Sequence, residues 1–148
     1  MKLILALVLA TLATLACANY HELKHRSGDD ILHKLQAGNH DIYLIVFYHP
    51  NEGHQHLKSS NMHLAEKLES EFLHKNDIKD LYYAALDSTN PTYANLMNQL
   101  QIDVNDLVNS PALFIMEHGN GFIMTGPRAI AEMQMNLNEL LDNRDKGY

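Results

Sequence analysis

Ile42-Tyr43-Leu44-Ile45-Val46-Phe47-Tyr48 is an unbroken run of seven β-branched, aromatic and aliphatic residues, followed directly by His49-Pro50-Asn51. A strand with one wet face alternates apolar and polar side chains. A run without alternation fits a strand buried on both faces, and hence the centre of a sheet covered by helices on two sides. Proline after the run removes a ladder donor and ends the strand. Helices that cover both faces are therefore expected elsewhere in the chain.

Such helices are present on either side of the run. Before it, Ser27-Gly28-Asp29-Asp30 opens a helix carrying Ile31, Leu32 and Leu35, with Gly38 as its stop. After it, Leu57, Met62, Leu64, Ala65, Leu68, Phe72 and Leu73 recur at threes and fours, which predicts a long amphipathic helix over 55–74. Leu81 to Leu86 reads as a second strand. Asn90-Pro91 then opens a helix through Leu96, Met97 and Leu100, with proline in the first turn, where its missing N–H costs nothing. Ala112 to Glu117 and Phe122 to Thr125 read as two strands joined by His118-Gly119-Asn120-Gly121, with Asn-Gly as the hairpin signal. Ile130, Met133, Leu137, Leu140 and Leu141 form the stripe of a last helix over 129–141. A weak strand from His21 to Lys24 precedes the whole series. The α-β-α-β-α-β-β-α order predicts an α/β three-layer sandwich, with a mixed central sheet of four to five strands and helices on both faces.

Composition narrows the function. The chain has 148 residues, a formal net charge of −7, ten histidines, no tryptophan and one cysteine. One cysteine makes no internal disulfide, no CxxC pair and no cysteine-rich zinc site. The acidic balance argues against nucleic acid, whose phosphates call for a basic surface. Lys2 and the uncharged stretch Leu3 to Ala16, closed by Ala16-Cys17-Ala18, fit a secretory signal peptide with a small-x-small cleavage site. The stretch is shorter than the roughly 20 residues of a membrane-spanning helix. An uncleaved anchor and a lipoprotein signal on Cys17 are the alternative readings. The expected division is a signal peptide over 1–18 and one domain over 19–148, destined for the secretory-pathway lumen or the exterior and with no membrane attachment after cleavage. Removing 18 of the 148 residues leaves 130, with 10 basic against 18 acidic residues and no cysteine at all. Asn90-Pro91-Thr92, the one near match to a glycosylation site, is blocked by its proline.

Four segments, in order, resemble the thioredoxin fold, specifically domains of the protein disulfide isomerase type. Val46-Phe47-Tyr48-His49-Pro50-Asn51-Glu52-Gly53-His54-Gln55 is similar to the V/E-F-Y-A-P-W-C-G-H-C segment of that family. Ala84-Ala85-Leu86-Asp87-Ser88-Thr89 is similar to its A-K-V-D-A-T strand end. Ser110-Pro111-Ala112-Leu113 falls at its cis-proline, and Thr125-Gly126-Pro127-Arg128 at its Y-x-G-x-R segment before the last helix. The resemblance covers nearly all of 19–148. It implies a degenerate active site over Glu52, Gly53, His54 and Gln55, with Glu52 and Gln55 at the two cysteine positions. Asn51 takes the place of the tryptophan, Val46 that of the buried glutamate, and Ala85 that of its lysine partner. Val46 and Ala85 are expected to serve as cheaper core in place of that buried pair. Thiol–disulfide exchange proceeds by thiolate attack on sulfur, so none is expected, nor any other enzymatic activity or cofactor. Glu52 and His54 could act as an acid–base pair, but nothing in the sequence supplies a substrate pocket.

Three non-catalytic roles remain. With Ser110-Pro111 cis beside the active-site turn, as the family would have it, Asn51, His54, Ser110 and Pro111 would hold an extended polypeptide, making a polypeptide or protein the expected partner. Alternatively His49, His54 and His56, with His63 and Glu52 nearby, could ligate zinc or copper. The His-x4-His-x-His spacing is no strong metal signature, and on a helix His54 and His56 would point about 200° apart. Third, the domain could be a scaffold subunit of a larger assembly, marked by an exposed apolar patch. Met116, Met124, Met133 and Met135 are read as packing residues, although Met133 and Met135 cannot both face the core. The histidines also predict a charge that falls in magnitude, and association that rises, as pH drops from 7.5 to 5.

Overall fold

A computed structural model describes residues 20–51, 63–74, 76 and 78–146. The signal-peptide reading of 1–18, the degenerate positions Glu52 to Gln55, and His56 lie outside the described residues. Strand β1 is His21–Glu22, helix α1 Gly28–Gln36 and strand β2 Ile42–Tyr48. Helix α2 covers 63–68 and runs into a π-helical turn at Glu69–Leu73. Strand β3 is Leu81–Asp87. A 3-10 turn at Pro91–Tyr93 leads into α3, Ala94–Gln99, and a second one at Val104–Leu107 leads to β4, Ala112–Glu117. Strand β5 is Asn120–Met124 and helix α4 Ala129–Asp145.

Local chemistry sets the helix starts. The Ser27 side chain accepts from the Asp30 N–H at 3.3 Å at the start of α1. Asn90 accepts from the Thr92 N–H at 3.0 Å, with Pro91 in the first turn that follows. The sheet has the order β1-β3-β2-β4-β5, so β2 lies at its centre. β2 runs parallel to β3, with Val46 opposite Ala85, and antiparallel to β4. The mixed sheet is thus the expected one, five strands wide.

The unbroken apolar run of β2 divides between two cores. Ile42, Leu44 and Val46 pack with Leu68, Leu81, Leu113, Met133 and Leu137 beneath α2 and α4. Tyr43, Ile45 and Phe47 pack with Ile31, Leu35, Leu96, Met97 and Phe114 beneath α1 and α3. Successive side chains of a strand point to opposite faces, so only a strand covered on both sides buries neighbours such as Val46 and Phe47 completely. Met133 is buried and Met135 is exposed, as helical spacing requires.

Three expectations need correction. The first strand stops at Glu22, two residues early. Ala85 is exposed, because the described helical layer covers Leu81 and Tyr83 on that face and leaves Ala85 outside; it is not core. The hairpin turn is His118-Gly119, with φ of 51° and 80°, and Asn120-Gly121 is already strand. The Asn-Gly signal misled because Gly121 serves packing. A Cβ there would sit 2.8 Å from Cε2 of the Phe114 ring, which occupies that space.

Tyr20 is anchored against the π-helical turn that follows α2. The Tyr20 hydroxyl donates to the Glu69 carboxylate, and its ring meets Tyr83 and His74 edge-on at 5.9 and 5.7 Å. Burial, then the bond to Glu69, raises the Tyr20 phenol well above its ordinary 10.0. Burial, then the charge of Glu69, does the same to Tyr83. A phenol whose folded pKa is raised contributes stability that is complete below pH 10 and is lost as pH climbs past it. An alkaline titration followed by tyrosinate absorbance and circular dichroism is therefore expected to show two tyrosines that ionise only as the fold is lost. Full ionisation with an intact fold would refute the anchoring.

Candidate functional site

The carboxyl ends of β2 and β3 and the amino end of β4 meet at one end of the sheet. In parallel α/β sheets this is where connecting loops leave a crevice for ligands. After β2 the chain makes a sharp turn at Asn51, which adopts φ 50°. Asparagine is among the few residues with a side chain that tolerate this left-handed region. The Asn51 backbone N–H donates to His49 Nδ1 at 3.0 Å. That bond makes Nδ1 an acceptor and places the ring proton of a neutral His49 on Nε2.

The Asn51 side chain bridges to the loop before β4. It is 2% exposed, and its Nδ2 donates to the Val108 carbonyl at 2.9 Å across 57 positions of sequence. Its Oδ1 is buried and accepts no hydrogen bond among the described residues. A second buried oxygen of this kind lies at the end of β3. Ser88 is 4% exposed and its backbone N–H donates to the Tyr48 carbonyl at 2.9 Å, while Oγ has no partner among the described residues. Beside it the Thr89 N–H and hydroxyl both donate to Asp87 Oδ1, at 2.9 and 2.7 Å. Burial, then the charge of Asp87, raises the Tyr48 phenol, so this tyrosine is a neutral donor at physiological pH.

Ser88 also borders a cavity of about 680 Å3 between the end of β3 and the segment after α3. Its lining mixes Asn90, Gln101 and Asp103 with Met97, Ile102 and Val104. Sequence reading did not pick out this cavity. The one local hint was Asn90-Pro91, whose capped start sets the cavity wall.

The sequence-predicted groups divide as follows. Asn51 bonds to Val108, in the segment that leads to Ser110 and Pro111. The Ser110–Pro111 bond is trans, as is every peptide bond among the described residues, and this corrects the expected cis-proline. Trans is the lower-energy isomer by about 0.5–1 kcal/mol, and here the Asn51 bond holds the two loops together. Pro111 is buried and Ser110 half-buried, so Pro111 itself offers no open face. Of His49, His54 and His56 only His49 is described, together with the nearby His63, and among the described residues no three metal-binding side chains converge.

Asn51→Ala is expected to cost about 1.5–3.5 kcal/mol, combining a lost hydrogen bond of about 0.5–1.5 kcal/mol with left-handed strain of about 1–2 kcal/mol. Asn51→Gly keeps the backbone and loses only the bond, so it should be the milder change. Chemical denaturation of both variants checks the order. Equal losses would show that the backbone conformation contributes nothing.

No family model matches the chain, and no curated protein matches it. Among solved structures, thioredoxin O2 from Arabidopsis thaliana, in its oxidized state, superposes with a TM-score of 0.57 at 14% identity. The match covers 83% of this chain and 95% of that one. The fold is thioredoxin-like. At this identity the likeness concerns the fold alone. Within the thioredoxin-like domain, the Asn51 turn follows the central strand, at the end of the sheet just described.

Proposed function

We propose that this chain is a thioredoxin-like module of the secretory pathway, of protein disulfide isomerase type, that has lost thiol exchange and binds extended polypeptide at the carboxyl ends of β2 and β3. The observation that carries this reading is the Asn51–Val108 bond, which joins the two loops the resemblance implicates. Supporting it, the cavity that Ser88 borders has peptide dimensions. The mixed lining offers amide and apolar surface together, and Asp103 favours a neutral or basic segment over an acidic one. The only cysteine, Cys17, stands in the leader, so no dithiol exists to exchange.

The test is a titration of the isotope-labelled protein with an unfolded, cysteine-free polypeptide, followed by backbone NMR. Shifts are expected at His49 to Asn51, Ser88 to Pro91 and Gln101 to Ser110. Shifts confined to the β4–β5 hairpin or to α4 would overturn the assignment. A disulfide-reduction assay on insulin with excess dithiothreitol is expected to run at the uncatalysed rate.

A further inference from the structure

We propose that His40 and His118 form a binding site for a divalent cation of the zinc class, and that the bound ion clasps the entry to β2 against the β4–β5 turn. The pair stands at the end of the sheet opposite Asn51. His40 lies two residues before β2, and His118 directly follows β4 in the hairpin turn, at φ 51°. Both side chains are exposed. Their rings nonetheless meet across 78 positions of sequence, with His40 Nδ1 2.5 Å from His118 Nε2 and the ring centroids 4.5 Å apart.

The chemistry of that contact selects the occupant. Each imidazole nitrogen presents either an N–H or a lone pair. Two lone pairs repel and two N–H groups clash, so this approach requires one acid centre between the nitrogens, a proton or a metal ion. Zinc bonds imidazole nitrogen at about 2.0–2.1 Å, and a tetrahedral angle at the metal sets two such nitrogens about 3.3 Å apart. The two exposed rings therefore need to part by less than about 1 Å to admit the ion. Imidazole suits zinc, copper and nickel, whereas calcium and magnesium take oxygen.

The surroundings favour a cation as well. Asp41 follows His40, its carboxylate oriented by Asn39 Nδ2 at 2.9 Å, and the chain carries a net charge of −7. Two protein nitrogens leave two tetrahedral positions to water. A cavity of about 400 Å3 lined by Glu117, His118 and Asn120 has room and hydrogen-bonding partners for those waters.

The test is a titration of the isotope-labelled protein with zinc chloride, followed by proton–nitrogen spectra of the histidine rings. His40 and His118 are expected to shift together, with His33, exposed on α1, unmoved. His40→Ala and His118→Ala, both at exposed sites, should each weaken zinc binding at the remaining ring at least about tenfold. Zinc should raise the denaturation midpoint of the parent and leave that of either variant lower by comparison. Rings that stay unmoved while other histidines respond, an affinity indifferent to both substitutions, or an equal response to magnesium would overturn the site. So would a pair that responds to acid alone, which would make the bridge a shared proton.

Discussion

Val46→Glu is expected to destabilise the domain by about 3–5 kcal/mol at neutral pH, the range for a buried charge without compensation. Val46 is fully buried on the central strand, among Leu44, Leu113, Ile115 and Met124. The sequence resemblance sets this position against a buried glutamate of protein disulfide isomerase-type domains, so the substitution introduces that carboxyl without its surroundings. In this core the carboxyl pKa would rise above the ordinary value of about 4.3. A raised folded pKa on an acid favours the neutral form, so the penalty is smallest below pH 4 and grows as pH rises. Denaturation midpoints at pH 4 and pH 7 should therefore separate in the variant and not in the parent. Adding Ala85→Lys, on the register partner, should recover only part of the loss, because Ala85 is exposed and its ammonium would stay in water. Full recovery would mean that the neighbourhood of Val46 still accommodates an ion pair.

The second large effect lies on the other face of the same strand. Phe47→Ala is expected to cost about 3–5 kcal/mol through lost transfer energy and the cavity left behind. Phe47 is fully buried within the cluster that includes Leu86, Leu96, Met97 and Ala112, on the α1 and α3 side. Residual cavity volume governs such costs, and a ring enclosed by two helices and two strands leaves little room for collapse. A loss below about 1 kcal/mol, the scale of a single methylene, would show that this face repacks freely. Together the two substitutions test whether both faces of β2 carry independent cores.

Much of this architecture could be read from side-chain pattern. The unbroken run Ile42 to Tyr48 identified the doubly covered strand, because a strand with a wet face would have alternated. Helices α1 and α4 announced themselves by apolar spacing, since helical period is a local property. The failures share one physical origin, which is that spatial neighbours are not sequence neighbours. Gly121 read as a turn glycine until the Phe114 ring was found against it. Ala85 read as core because its burial depends on which helices cover it. The Asn51–Val108 bond could be anticipated only as two loops at one end of a fold, and the cis-proline expected from the resemblance was trans. The cavity beside Ser88 was invisible for the same reason, since its walls come from segments that no period links.

The two borders of the sheet are unequal, and this limits how the molecule can grow. On one side β1 is two residues long, carries His21 and Glu22, and follows a Tyr20 pinned to Glu69. On the other, β5 is uncharged and open. An added strand would therefore find a longer, uncharged edge at β5 than at β1.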